Sequence, residues 1–391
     1  MTGKRIGLFG NFGVGNLGNE GSLEAMLLFL RQSYPSANMV CICAEPNVIS
    51  KQFGIATLPA YAPRLHNRGK LDKLRGKIAD HIGVVRNVRN LDVLLIPGTG
   101  ILDDFGERPI GFPYIMFLIC LAAKLRGIKV AFISTGAGPI VHPLSRFFMK
   151  TAARTAVYRS YRDQISKDFM ESIGIDTSND PIYPDLAFRL PDPVPAERPK
   201  DNTLTIGLGV MEYYGWTAAG GRDIYDGYIR KLTQFAVWLL NHGYRIRLLV
   251  GQDCDQRAVD DLTQAVTAEL GDIAGDSLVA QMPHSLNDLM EQISSVDAVV
   301  ATRFHNVLCA LKVGRPTISL GYATKNDVLM AEMGLGEFCQ HIERLDVDML
   351  IQQFQKLIEQ RTAYQEIVKT NCASLRQKLE QQEQFLITHI I

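Results

Sequence analysis

The sequence predicts an α/β protein made of two doubly wound, Rossmann-like halves. Short apolar runs alternate with helical periodicity along most of the 391 residues, the pattern of a parallel sheet with crossover helices. The segment Pro191-Asp192-Pro193-Val194-Pro195-Ala196-Glu197-Arg198-Pro199 interrupts that rhythm, and the alternation then starts again. Proline lacks an amide donor and favours extended backbone, so this stretch reads as a linker.

In the first half the apolar runs place strands at 6–9, 39–43, 93–96, 130–134 and 156–158. Helical spacing falls at 20–34, 113–126, 144–153 and 164–173. Beyond the linker come a strand at 204–210, a helix at 225–241, a strand at 245–250 and helices at 256–270 and 286–294. A strand at 298–301, a helix at 306–312 and a strand at 317–320 follow, and from Val347 onward the pattern is helical almost to the end. The expected organisation is an N-terminal domain over 1–190, a Pro-rich linker over 191–202 and a C-terminal domain with a helical tail over 203–391. Two such halves suggest a GT-B-like architecture, with ligands expected in an interdomain cleft.

Composition narrows the class. With 47% hydrophobic and 21% charged residues the chain has material for two packed cores, which sets aside a disordered protein. The 41 basic and 41 acidic residues balance, so total charge points to no nucleic-acid partner. Seven scattered cysteines contain no CxxC pair, which suits free thiols in a reducing compartment. The start, Met1-Thr2-Gly3-Lys4-Arg5, runs directly into a strand, so no cleaved signal peptide and a cytoplasmic location are expected. The apolar run at 112–123 is too short to span a bilayer and reads as a buried helix. Between Arg64 and Arg89 eight Lys or Arg residues face only Asp72 and Asp80. This run has two readings, a solvated helical face or a peripheral contact with an anionic, lipid-linked substrate at the inner face of a membrane. The histidines lack metal spacing, so neither a metal nor any other cofactor is expected.

The chemistry-bearing residues sit where predicted strands end. Val299-Val300-Ala301-Thr302-Arg303-Phe304-His305-Asn306 is a buried strand that delivers a permanent cation and a proton-exchanging imidazole to one turn. In an open α/β sheet that end faces the ligand crevice, so Arg303 and His305 suit chemistry on a small anion. Gly13-Val14-Gly15-Asn16-Leu17-Gly18 fits the pattern GxGxxG literally, but several residues separate it from the strand end at Phe9. A dinucleotide loop, a plain tight turn and an anion- or sugar-binding loop are the readings, and the last makes Gly13 and Asn16 candidate binding residues. Pro97-Gly98-Thr99-Gly100 and Ser134-Thr135-Gly136-Ala137-Gly138-Pro139 repeat the strand-then-glycine arrangement, making Gly98 and Gly100 candidates too. Arg162 opens a helix whose capping Asp163 and Ser166 would satisfy, leaving the arginine for a ligand, whereas Asp185 reads as structural. Glu212-Tyr213-Tyr214-Gly215-Trp216 is an aromatic, polar loop in which Tyr214 and Trp216 could pack on sugar rings, or simply pack a surface loop.

Together these motifs resemble the polysaccharide pyruvyl transferase family, from the first strand to about Gly334. The family's Asn-x-Gly-Asp loop is similar to Asn16-Leu17-Gly18-Asn19, with Asn19 where aspartate is usual. Its glycine turn before an aspartate resembles Gly98–Asp103, with Thr99 in place of the middle glycine. Its Gly-x-Gly-Pro turn, Arg-Asp helix entrance and Asp-x-Ala-Phe turn resemble Gly136-Ala137-Gly138-Pro139, Arg162-Asp163 and Asp185-Leu186-Ala187-Phe188. The most specific likeness is Arg303-Phe304-His305, followed by Gly314-Arg315-Pro316 and Lys325.

The resemblance implies transfer of a pyruvyl group from phosphoenolpyruvate, as donor substrate, to a glycan acceptor of exopolysaccharide synthesis, lipid-linked or free. It implies His305 as general acid/base, Arg303 on the donor's carboxylate or phosphate, and Arg162 and Lys325 assisting. The alternatives are a GT-B glycosyltransferase using a nucleotide sugar and a glycan-binding relative without turnover, which the Asn19 departure favours.

Overall fold

The computed structural model describes residues 3–61, 83, 86–104, 107–194, 203–215, 220–271, 275 and 277–391. The chain divides into two compact units, each built on one six-stranded parallel sheet. In the first unit β1 (Arg5–Phe9), β2 (Asn38–Cys43), β3 (Ala56–Pro59), β4 (Val93–Pro97), β5 (Lys129–Thr135) and β6 (Tyr158–Tyr161) lie in the order β3-β2-β1-β4-β5-β6. In the second, β7 (Thr205–Gly209), β8 (Arg245–Leu249), β9 (Leu278–Ala280), β10 (Ala298–Ala301), β11 (Thr317–Gly321) and β12 (Cys339–His341) lie in the order β12-β11-β10-β7-β8-β9. Read from either end this is one topology used twice. The chain steps outward over three strands, returns to the middle and steps out the other way. The reversal leaves a crevice beyond the carboxyl ends of β1 and β4, and another beyond β7 and β10, where open α/β sheets bind ligands.

Central strands are buried on both faces, as parallel sheets require: every residue of Val93–Pro97 and of Ala298–Ala301 is buried. The helices carry ordinary start signals. Pro46 begins α2 (Pro46–Phe53), and α1 (Leu17–Ser33) precedes it. Proline also opens α3 (Phe112–Leu125) and α4 (Pro143–Thr155). The Asp163 carboxylate accepts the Ser166 amide at 2.7 Å to cap α5 (Gln164–Ser172), satisfying a donor that a helix start leaves without a partner. In the second unit α6 (Gly221–Asn241) and α7 (Gln256–Leu270) precede α8 (Leu286–Ser294). There Ser285 accepts the Asp288 amide at 3.0 Å, while an Asp288 carboxylate oxygen accepts the His284 amide at 3.0 Å.

Differences from the expected elements have local causes. The strand expected at 156–158 is Tyr158–Tyr161, because Ala156 still closes α4 by donating to Ala153. The helix expected at 306–312 starts at Phe304, which puts His305 inside its first turn. The second unit comprises Asn16–Gly18 and Pro191–Leu375, and the first comprises Met1–Gly15, Asn19–Leu190 and Arg376–Ile391. The long helix Arg361–Phe385 therefore begins in the unit expected to run over 203–391 and ends in the other. In the first unit its Gln382, 1% exposed, accepts from Ser134 Oγ at 3.0 Å and donates to Ser160 Oγ at 2.8 Å. Of the expected linker, 195–202 lies outside the described residues, as do 62–82 and 84–85 of the basic run.

Candidate active site

The turn after β10 is fixed from below by buried polar side chains. Thr302 Oγ1 donates to the Gly209 carbonyl at 3.3 Å, and the Tyr228 hydroxyl lies 3.0 Å from Thr302 Oγ1. Asn306 Nδ2 donates to the Leu249 carbonyl at 3.2 Å, and Asn326 Nδ2 donates to the Thr302 carbonyl at 3.2 Å. Thr302, Asn306 and Asn326 are fully buried, so each bond is protected from competing water. These contacts tie the turn to the ends of β7 and β8 and to α10 (Thr324–Glu332).

Arg303 stands at the start of α9 (Phe304–Lys312) and is held by a carboxylate. Its Nε donates to Asp255 Oδ2 at 2.7 Å and its Nη2 to Asp255 Oδ1 at 2.6 Å, a two-point clamp. Asp255 also accepts the Glu212 amide at 3.0 Å and is fully buried. Burial opposes the guanidinium charge, yet the bonds to Asp255 hold its pKa above the ordinary arginine value. Among the described residues its Nη1 makes no hydrogen bond, so one edge of the fork is available to a ligand. The Nη2 group also donates to the neighbouring Cys254 Sγ at 3.4 Å.

Lys325 and His305 flank Phe304. The Lys325 ammonium lies 5.0 Å from the centroid of the Tyr322 ring and 5.7 Å from that of Phe304, and makes no ion pair among the described residues. The His305 ring stands edge-on to Phe304 at 5.2 Å between centroids. It also covers Gly18, which belongs by its contacts to this same unit: a Cβ there would lie 2.0 Å from His305 Cε1 and 2.1 Å from Nδ1. Only a glycine leaves room for the imidazole.

Around these groups, Tyr213 donates to Glu343 Oε1 at 2.6 Å, and burial followed by this bond pushes the phenol above its normal pKa. Tyr214 donates to Glu212 Oε1 at 2.8 Å, so the candidate aromatic loop reaches Asp255 through Glu212. Trp216 lies outside the described residues.

The first unit gathers a second set. Gly98 and Gly100 follow β4, Gly136 follows β5 and Arg162 follows β6. Arg162 Nη1 donates to Asp185 Oδ2 at 3.2 Å, and Nε lies 3.4 Å from Asp163 Oδ2. Asp185 also accepts the Ala187 amide at 3.0 Å, a structural placement. A Cβ on Gly136 would meet the Arg162 guanidinium at 2.8 Å, so the arginine lies flat over that turn. Thr99 holds φ 60 while 5% exposed, a left-handed conformation costly for a β-branched residue.

The first glycine loop spends its polar groups internally. The Gly13 amide donates to Glu20 Oε1 at 2.7 Å, and Asn16 Oδ1 accepts the Gly18 amide at 3.1 Å to cap α1. The carboxylate of Glu20, 6% exposed, occupies the place where a dinucleotide pyrophosphate would need donors. Asn19 donates from Nδ2 to the Asn11 carbonyl at 2.9 Å, a bond that an ionised aspartate cannot make.

Asp255, Tyr322 and Asn326 carry no signal that marks them in the sequence as parts of this site. The nearest hint is that Asp253-Cys254-Asp255 follows an apolar strand as the other motifs do. A cavity of about 1200 Å³ opens at the opposite, amino-terminal edge of the first sheet, lined by Lys4, Arg5, Arg31 and Lys129 among others. It contains none of the motif residues, and position at the strand ends is the stronger guide to chemistry.

Solved structures share this pair of sheets. A UDP-GlcNAc 2-epimerase from Neisseria meningitidis bound to UDP-GlcNAc aligns at 11% identity and TM-score 0.60, over 97% of this chain and 100% of that one. A glycosyltransferase from Rickettsia africae aligns at 10% identity and TM-score 0.58, over all of both chains. The S. aureus MnaA–UDP structure aligns at 11% identity and TM-score 0.60, over 93% and 90% respectively. The protein is thus of the GT-B-like class of α/β folds. No curated protein sequence matches the chain. The polysaccharide pyruvyl transferase family model matches residues 16–324, and the chain belongs to that family.

Proposed function

We propose that the protein moves a pyruvyl group from phosphoenolpyruvate onto two hydroxyls of a glycan, forming a cyclic ketal and releasing inorganic phosphate. The supporting observation is that the turn after β10 carries Arg303 and His305 while Lys325, at the start of the helix after β11, lies over the Phe304 ring between them, in a member of this family. A proton added to the methylene carbon of the enol makes the adjacent carbon electrophilic. One hydroxyl attacks that carbon and loses its proton, the C–O bond to phosphate breaks, and the second hydroxyl adds with loss of its proton. The protons released balance the one taken up by carbon and the one carried away on phosphate.

His305 is the group that delivers and accepts protons in this scheme. Lys325, with no carboxylate partner among the described residues, is the stronger candidate for the phosphate. Arg303, oriented by Asp255, offers its remaining Nη1 edge to the donor carboxylate. Arg162 and the turns at Gly98, Gly100 and Gly136 form the first unit's own candidate ligand-binding edge, and Tyr214 and Trp216 are candidate glycan contacts.

The test is linkage and mass analysis of exopolysaccharide from cells lacking the protein, complemented with wild type, His305→Gln or Lys325→Ala. Loss of a pyruvyl ketal, restored by wild type alone, is expected. A thermal-shift comparison of phosphoenolpyruvate with nucleotide sugars distinguishes a glycosyltransferase, which nucleotide sugars alone would stabilise.

A further inference from the structure

The described residues of the first unit leave an aromatic face partly exposed. On α3 and α4, Tyr114 packs on Phe148 at 5.0 Å between centroids, and Phe117 packs on Phe148 at 5.2 Å and Phe147 at 6.3 Å. The cluster runs outward into solvent: Phe147 is 57% exposed and Leu144 39%. Ile110 and Val141, in the connections that leave β4 and β5, are 58% and 74% exposed. Large side chains gathered on one face are uncommon on a soluble monomer and mark an interaction surface.

Charge identifies the partner. From Arg108 to Arg154 the chain has seven Lys or Arg residues and no Asp or Glu, of which Lys129 lines the cavity at the other edge, within a protein whose totals balance at 41 and 41. Lys124, Arg146, Lys150 and Arg154 of this set lie on the same two helices. Of the acids just before this run, Asp104 is engaged, accepting the amides of Val141 and His142 at 2.8 and 2.9 Å, and Glu107 is exposed beside Arg108. Among the described residues no helix is long and apolar enough to cross a membrane, so this face could meet lipid only from outside.

We propose that this face docks onto an anionic phospholipid bilayer. Aromatic rings settle at the headgroup level, and the surrounding cations are drawn to a negative surface. A second copy of the chain is disfavoured as occupant, because a two-fold contact would set this mainly cationic surface against itself. Ile110 and Val141 mark the edge of the unit where Gly98, Gly100 and Arg162 also lie, since all follow carboxyl ends of the first sheet. Docking there brings those loops to the bilayer surface, where a lipid-linked glycan presents its sugars. The proposal holds whatever reaction the protein carries out.

The experiment is cosedimentation of the full chain with phosphatidylcholine vesicles, with and without phosphatidylglycerol, alongside light scattering and thermal melting. Wild type is expected on the mixed vesicles alone, with binding that weakens as salt rises. Phe147→Glu should lower partitioning about ten-fold and Arg108→Glu about five-fold or more, with melting unchanged. Should Phe147→Glu fail to fold, Val141→Asp replaces it, since that side chain is 74% exposed and outside any helix. Absence of wild-type binding, equal binding to neutral vesicles, insensitivity to these substitutions, or a dimer that Phe147→Glu dissolves would each overturn the proposal.

Discussion

Replacing Asp255 with asparagine keeps the shape of the side chain and removes its charge. The carboxylate is fully buried and accepts four bonds, from Arg303 Nε at 2.7 Å, Arg303 Nη2 at 2.6 Å, the Glu212 amide at 3.0 Å and, more weakly, the Cys254 thiol at 3.9 Å. Removing one partner of a buried ion pair commonly costs about 3–5 kcal/mol, because the other charge is left without compensation. Arg303 is 16% exposed and the new amide oxygen still accepts a bond, which together lower the expected loss to about 2–3 kcal/mol. Urea unfolding at neutral pH measures it directly. The double variant with Arg303→Met removes the stranded charge, so its loss should fall at least about 1 kcal/mol short of the sum of the two single losses. A single-variant loss below about 0.5 kcal/mol, or strict additivity, would show that Asp255 does not hold the arginine.

Gly18→Ala puts a methyl 2.0 Å from His305 Cε1, forcing the ring to move by about 1 Å or more, a displacement that can cost about 100-fold in turnover. Ketal formation should fall by about that factor with melting little changed, and a fully active variant would remove His305 from the chemistry. Thr99→Gly relieves the φ of 60 and should raise stability by up to about 1 kcal/mol in urea, after the entropy cost of glycine. A loss of that size would mean the buried threonine side chain matters more than its backbone. Burial pushes the Cys120 thiol up to about 12 from an ordinary 9.0, so ionisation favours the unfolded chain. Its contribution is complete below the ordinary value and declines by about 1.4 kcal/mol per unit as pH rises toward the folded value. Unfolding midpoints of Cys120→Ala should therefore fall less steeply above pH 9.0 than those of wild type, and parallel curves would contradict the assignment.

The alternation of strand and helix was legible because the central strands are continuous apolar runs, as in Val93–Pro97 and Ala298–Ala301. The edge strands β3, β9 and β12 left no such trace. They are three or four residues long with only one buried residue among them, and sheet neighbours rather than hydrophobic pattern define them. At the candidate site, Arg303 and His305 stood out because both residue types are unusual straight after a buried strand. Asp255 did not, since its importance lies in a partner 48 positions away. Likewise Gly13 and Asn16 offered polar and backbone groups that sequence assigns to a ligand, whereas local bonds to Glu20 and Gly18 use them within the chain.

The placement of Arg376–Ile391 sets an order of assembly. A ribosome has made all of Met1–Leu190 long before the last helix emerges, yet the first unit includes that final segment. Until Gln382 arrives, the Ser134 and Ser160 hydroxyls lack its amide as a partner, and Tyr158 lacks the Phe385 ring stacked 5.2 Å away. The nascent N-terminal unit therefore waits, partly unfinished, through synthesis of the entire second unit. A fragment ending at Leu190 should be a poor substitute for it, and a chaperone has a defined interval in which to act.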